Sequence, residues 1–294
     1  MLELCKNDAD LLSRSCFATS LYKNKECWRK NMKLKRLVAL FAFVTLGTIA
    51  AGCGNKKAEV KTITVGTGTN YRPFVYQTKS GKDTGYEIAV LKAIDKKLPQ
   101  YKFKVSHYDF TNLFPALKNK RIDILANQIE SNSERRKLYQ FSKEGYTNYD
   151  LHIVSLYGKY HTLKDLKGKK VYAIPGGNAP LILENYIKAH PENKFKIVYG
   201  NWSDQLLYKS FKNKTVDATL GTKFSADFTN KQLGSHYVYS DKPVNTSSTY
   251  YLFRKKDPDS TKLNSQVSKA LKQLKDDGTL KKLSVKYLGG DYTN

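Results

Sequence analysis

Strand-like and helix-like segments alternate along this chain in two series of similar size, and that alternation constrains its fold most. The first series starts with Thr62–Val65 as a strand. Glu87–Leu98 follows, with apolar residues at Ile88, Leu91, Ile94 and Leu98, a helical spacing stopped by Pro99. Tyr101–Tyr108 alternates like a strand. Leu113–Lys118 reads as a short helix and Ile122–Ala126 as a buried strand. A β-α-β-α-β order predicts a parallel α/β sheet. After a further strand at Leu151–Leu156, a second series begins. It has strands at Val171–Ile174, Phe195–Tyr199 and Val216–Leu220, with helices at Ala179–Ala189 and Ser203–Phe211. Tyr237–Tyr239 and Thr249–Arg254 are extended, and Leu263–Lys275 and Gly278–Tyr287 are helical. Two such series predict two α/β lobes, with sites at the strand C-termini facing a cleft.

Ahead of the first series, Met32-Lys-Leu-Lys-Arg36 is followed by an apolar run, Leu37–Ile49, and then by Ala50-Ala51-Gly52-Cys53. A basic start, a short apolar stretch and small residues before a cut describe a secretory signal. The run is too short to span a bilayer comfortably. Its end resembles a bacterial lipoprotein processing site, although Ala50 stands where an aliphatic residue is usual. The expected organisation is an unstructured extension over 1–31, a signal over 32–52 and a tether over 53–60 that carries lipid on Cys53. The mature protein is then held at the outer face of a membrane. No cysteine follows Cys53. The exported part therefore has neither a disulfide nor a thiolate metal site and must rely on its core.

The net charge is +25, of which residues 1–53 contribute nine Lys/Arg and four Asp/Glu. The lysines are scattered rather than set in a stripe, which argues against nucleic acid and for a solvated surface attracted to an anionic envelope. Gly66-Thr-Gly68 after a strand resembles a dinucleotide fingerprint. Tyr71 then occupies the third glycine position and Pro73 follows, so no helix starts on cue. The five histidines, at 107, 152, 161, 190 and 236, show no metal-ligand spacing. Neither His-Glu-x-x-His nor Gly-x-Ser-x-Gly occurs. No metal, cofactor or catalytic residue is expected.

Eight segments resemble, in order, the periplasmic-type solute-binding proteins (family 3) of polar amino-acid ABC importers. They are Tyr71-Arg-Pro-Phe74, Gly81-Lys with Gly85-Tyr-Glu87, Leu113-Phe-Pro-Ala-Leu117, Arg121-Ile-Asp123, Glu134-Arg135 with Phe141-Ser142, Leu163–Val171, Val216-Asp-Ala218, and Leu271 with Asp277-Gly-Thr279. Together they cover nearly all of residues 60–290. Within the family, Ala126-Asn-Gln128 with Glu130, and Asp217-Ala-Thr219 with Thr222-Lys-Phe224 and Asp227-Phe228, resemble the cystine-binding branch. The resemblance implies a two-lobed, Venus-flytrap architecture of the type II class. Lobe 1 is expected over 61–150 and 246–294 and lobe 2 over 155–242, with hinges near Tyr149–Ser155 and Lys242–Ser248. It also implies a monomer that delivers its ligand to a permease and ATPase. A surface adhesin or sensor, or a small-molecule dehydratase using Glu130 as acid or base, are alternatives on the same fold.

The same resemblance implies a ligand site. A free amino acid presents a carboxylate that suits a bidentate guanidinium, and Arg135 matches the family's carboxylate arginine. Gly176, Gly177 and Asn178 match the turn whose backbone N–H groups face the same oxygens. Related binders often carry threonines at 177 and 178. Thr222 stands where many relatives have an aspartate for the ammonium. Glu130 is therefore the expected substitute, with the Gln128 carbonyl second and Asp227 reserved for the far end of a bulky ligand. Tyr71 and Phe110 are expected to flank the ligand side chain, with Asn127 and Tyr146 lining the pocket more loosely. A carboxylate in a closed cleft is costly unless paired. The ligand-free cleft is thus expected to be wet and open.

Overall fold

The computed structural model describes residues 59–158 and 160–293. The signal, the tether residues before Glu59 and the lipid-bearing Cys53 lie outside the described residues.

The chain runs through β1 (Lys61–Thr67), β2 (Tyr76–Gln77), β3 (Asp83–Thr84), α1 (Tyr86–Lys97), β4 (Tyr101–His107), α2 (Phe110–Lys118), β5 (Ile124–Glu130), α3 (Ser133–Leu138), β6 (Tyr139–Phe141) and β7 (Thr147–Asn148). It crosses to a second sheet through β8 (His152–Ser155). β9 (Lys170–Ala173), α4 (Asn178–Ala189), β10 (Lys196–Tyr199), α5 (Asp204–Lys212), β11 (Ala218–Gly221), α6 (Lys223–Leu233) and β12 (Val238–Tyr239) follow there. It then returns as β13 (Ser248–Arg254) and ends in α7 (Pro258–Asp276) and α8 (Thr279–Leu288).

The first sheet has the order β4-β1-β5-β13-β6, with β7 also on β13, and the second has the order β10-β9-β11-β8-β12. β1 is parallel to both β4 and β5, while the returning β13 is antiparallel to β5. In the second sheet β9 is parallel to β10 and β11, and β8 is antiparallel to β11. In each sheet one antiparallel strand from the crossing chain, β13 or β8, joins the parallel strands to a short edge strand, β6 or β12. The architecture is the two-lobed one expected.

Two segments make the crossing. The Tyr149 and Leu151 amides donate to the carbonyls of Ser247 and Asn245 at 2.7 and 2.8 Å, and the Val244 amide donates to Leu151 at 2.7 Å. The crossing segments therefore form a short hydrogen-bonded ribbon between the lobes.

Local sequence explains most elements. In α1 the buried positions Ile88, Leu91 and Ile94 form one stripe. α7 starts earlier than its apolar spacing predicts. Asp257 caps it by accepting from the Ser260 amide at 3.0 Å, and Pro258 occupies its first turn, where a missing N–H does no harm. β5 runs four residues past its expected end at Ala126. Every residue of it is buried, as befits a strand between two others with both faces covered. Asn127, Gln128 and Glu130, beyond the expected strand end, are polar. In the fold they belong to the strand terminus at the cleft.

Candidate functional site

β5 ends at Glu130, and Asn132 opens α3 by accepting from the Arg135 amide at 2.8 Å. This cap fixes the first turn of α3 and sends the Arg135 side chain back toward the strand end. Arg135 is only 8% exposed. Its Nη1 donates to the Glu130 carbonyl at 2.8 Å and its Nη2 to the Gly176 carbonyl, also at 2.8 Å. The guanidinium lies 5.1 Å from the centre of the Phe114 ring, a cation–π contact. Burial pulls its pKa down, and the nearby Glu130 charge opposes that.

The partner corner belongs to lobe 2. Gly176 has φ 74°, a left-handed conformation that suits glycine. Gly177 then caps α4, whose first residue is Asn178. The Gly177 amide closes the turn by donating to the Ile174 carbonyl at 3.1 Å, and Pro180 in the first turn of α4 has no N–H. The Asn178 and Ala179 amides are the first-turn donors that a helix leaves without an intrahelical acceptor. Sequence placed both halves of this arrangement, and the structure brings them together.

Glu130 is buried, and its Oε1 accepts from Asn178 Nδ2 at 3.1 Å and from the Ser247 hydroxyl at 2.7 Å. Asn132 Nδ2 donates to Asn178 Oδ1 at 3.3 Å. Burial pushes the Glu130 carboxyl up, and the Ser247 and Asn178 hydrogen bonds and the Arg135 charge oppose this. Glu130 thus ties lobe 1, lobe 2 and a crossing segment together. These bonds and the Arg135–Gly176 bond hold the lobes against one another. The structure is accordingly a closed form, in which the Glu130 carboxylate is paired rather than buried alone.

A cavity of about 430 Å³ lies at this junction. Tyr71, Phe110, Asn127, Gln128, Glu130, Arg135, Gly177, Asn178 and Thr222 all contribute to its wall. Asn127 is held by the Gly68 amide, which donates to its Oδ1 at 2.9 Å. The Tyr71 hydroxyl is hydrogen-bonded to that of Tyr149, a wall residue not expected from sequence. Thr222 caps α6 through its hydroxyl, which accepts from the Ser225 amide at 3.3 Å.

Two expectations need correction, those for Asp227 and Tyr146. Asp227 does not line the cavity; it is exposed. Thr222, Ser225, Ala226 and Thr229 of the same helix face the cavity, and a 3.6-residue period turns the residue after Ala226 away. Gln128 is on the cavity wall, and its side-chain carbonyl accepts from the Thr249 hydroxyl at 3.1 Å while its Nε2 donates to Glu87 Oε2 at 3.0 Å. Tyr146 is a core residue, fully buried and donating to Glu87 Oε2 at 2.7 Å.

Sequence reasoning missed Asn132, Ser247, Tyr172, Trp202 and Asp204 as site residues. An asparagine three residues before Arg135 was a readable cap signal. Nothing local marked Ser247, which meets Glu130 across 117 positions. Among the described residues, no cluster of three His, Cys, Asp or Glu side chains could hold a metal ion.

The profile of the bacterial extracellular solute-binding proteins, family 3, matches residues 63–290. The L-cystine-binding protein TcyK of Bacillus subtilis (strain 168) is 34% identical over 265 residues, which cover 87% of this chain and 96% of that protein. The L-cystine-binding protein TcyJ of the same organism is 36% identical over 269 residues, covering 89% of this chain and 97% of the relative. A solved structure described as a putative L-cystine ABC transporter from Listeria monocytogenes superposes with a TM-score of 0.73 at 37% identity, over 80% of this chain and 99% of that one. With this coverage, and with two α/β lobes around a shared cleft, the chain belongs to the bacterial extracellular solute-binding proteins, family 3.

Proposed function

We propose that this protein is the lipid-anchored, extracytoplasmic binding component of an ABC importer for a polar amino acid, L-cystine above others. It hands the ligand to a membrane permease powered by an ATPase. The observation that carries this reading is the contact of Arg135 with the Gly176 turn that leads into α4, at the wall of a cavity of about 430 Å³. A carboxylate placed there takes donors from both lobes, the guanidinium fork from one and helix amides from the other.

Glu130 is the ammonium partner in this reading. Its Oε1 is held by Ser247 and Asn178, and no hydrogen bond among the described residues engages Oε2. Tyr71 and Phe110 give aromatic faces to the apolar or disulfide stem. A ligand that touches both lobes favours the closed form over the open one, and the permease then reads the closed shape. Anchoring through Cys53 keeps the protein beside that permease. The L-cystine binding named for the two Bacillus relatives supports the choice of ligand.

Titration calorimetry of the purified protein with L-cystine and a panel of polar amino acids tests the proposal. Saturable binding of L-cystine, with a melting point that rises with ligand concentration, is expected. An absence of binding by any amino acid overturns the importer reading. Tight binding of a different amino acid with none of L-cystine overturns the ligand choice alone.

A further inference from the structure

The cavity does not end at the Arg135 corner. It continues into lobe 2, where Tyr172, Trp202, Asp204, Leu207 and Tyr237 form its wall. Tyr172 and Trp202 stack with ring centres 4.6 Å apart, and the Trp202 amide donates to the Tyr172 hydroxyl at 3.0 Å. The stack is therefore built in place. Beside it, Asp204 opens α5, half-buried and without a hydrogen bond or ion pair among the described residues. The Tyr237 hydroxyl is buried and has no hydrogen-bond partner, although its residue is only 7% exposed. Buried polar groups in native folds are generally satisfied. An orphan hydroxyl beside an unbonded carboxylate on a cavity wall therefore marks a place for a polar group from a ligand.

The sign of that group follows from the charges around it. Burial first, and the Asp204 charge after it, raise the Tyr237 pKa, so the hydroxyl stays neutral and its oxygen is available as an acceptor. Burial pushes the Asp204 carboxyl up, and the cation that opposes this is Arg72 of lobe 1, whose guanidinium lies 4.2 Å over the Tyr76 ring. None of these groups is hydrogen-bonded to Arg135 or Glu130. An ammonium placed here would donate to the Asp204 carboxylate and to the Tyr237 hydroxyl oxygen together.

We propose that this lobe 2 end, headed by Asp204 and Tyr237, is a second head-group subsite. It takes the far ammonium of an elongated ligand with two amino-carboxylate ends, the first of which sits at Arg135. The inference rests on the reading that the cavity binds a disulfide-linked amino acid. It moves the far-end carboxylate from Asp227, which faces solvent, to Asp204. The aromatic stack alongside suits the apolar middle of such a ligand. The cavity volume falls within the range of about 300–1,000 Å³ typical of small-molecule pockets.

Two probes and two variants test this by calorimetry. The probes are L-cystine and the mixed disulfide of L-cysteine with 3-mercaptopropionate, which keeps the length and the far carboxylate but lacks the far ammonium. The wild type is expected to bind L-cystine at least about tenfold more tightly than the mixed disulfide. Asp204→Asn is expected to remove that preference by weakening L-cystine alone. Tyr237→Phe, which deletes one oxygen with little risk to folding, is expected to reduce the preference a few-fold. An unchanged preference in both variants overturns the subsite. Equal loss for both probes also overturns it, and makes Asp204 a closure contact to Arg72. If the wild type binds neither probe nor any amino acid, the underlying importer reading has failed. If it binds both probes with equal affinity, only the second subsite has failed.

Discussion

Arg135 Nη2 donates to the Gly176 carbonyl at 2.8 Å, joining a helix of one lobe to the turn before a helix of the other. Because the bond crosses the cleft, it reports closure. Nη1 donates to the Glu130 carbonyl, so two of the five N–H groups of the guanidinium are used and the others remain for a carboxylate. Arg135→Ala is therefore expected to abolish amino-acid binding, a loss of about 2–5 kcal/mol, since it strands the buried carboxylate of the ligand. Arg135→Lys keeps the charge but not the planar fork, and is expected to recover only part of the affinity. Calorimetry on both variants checks this, and near-native affinity in the alanine variant removes Arg135 from the site.

Glu130→Gln tests the ammonium contact. The amide preserves an acceptor for Ser247 and Asn178 but removes the charge. If the carboxylate receives the ligand ammonium, affinity is expected to fall by about 1.5–3 kcal/mol, the usual worth of a charged hydrogen bond. If Glu130 serves only to tie the lobes, the dissociation constant stays near the wild-type value and the ammonium belongs elsewhere.

Much of this was legible in the chain because it is local. The stripe of Ile88, Leu91 and Ile94 fixes a helix wherever it lies, and the paired α/β series follow from period and punctuation. Arg135 and the Gly176–Asn178 turn were legible through resemblance, which transfers a residue together with its place in a motif. Asp227 shows where that fails. Its place in a motif said nothing of which side of α6 it would occupy, and one step around the helix separates Ala226 on the cavity wall from Asp227 in solvent. Glu130, Asn178 and Ser247 meet from three distant stretches, so their hydrogen bonds exist only in the folded chain. The strand was expected to end at Ala126 because the partners that let Asn127 and Gln128 be buried, Gly68, Glu87 and Thr249, are remote in sequence.

Gly176 tests the geometry of the lobe 2 corner. A methyl group added there would meet nothing nearer than Phe110 Cε1 at 4.0 Å, so space is not the constraint. The constraint is φ 74°. Gly176→Ala is expected to destabilise the closed form by about 1–2 kcal/mol, the penalty for an ordinary residue in that conformation. Gly176→Asn is expected to be milder, because asparagine tolerates it. Equal affinities for the two variants, measured by calorimetry with the same ligand, would show that backbone conformation at Gly176 does not control closure.

Glu87 lies beneath the site and gives the fold a pH dependence of definite sign. It is fully buried, and its Oε2 accepts from the Gln128 amide at 3.2 Å, from Gln128 Nε2 at 3.0 Å and from the Tyr146 hydroxyl at 2.7 Å. Its Oε1 has no hydrogen-bond partner. Burial raises its pKa above the usual carboxylate value despite those three bonds. The unfolded chain therefore ionises Glu87 at lower pH than the folded chain does. Its contribution to stability is complete below the ordinary value of about 4.3 and is lost as pH rises through the folded value. Carboxylates such as Asp257 and Asp277 have lowered pKa values and act in the opposite direction, so wild-type melting alone does not isolate Glu87. The difference between wild type and Glu87→Gln does. Measured from pH 4 to pH 8, the variant is expected to gain on the wild type steadily as pH rises. Because Glu87 also holds Gln128 at φ 51°, ligand affinity in the variant is expected to fall where the amide binds Gln128 less firmly. A difference in melting point that does not change with pH would mean that Glu87 ionises alike in the folded and unfolded chains.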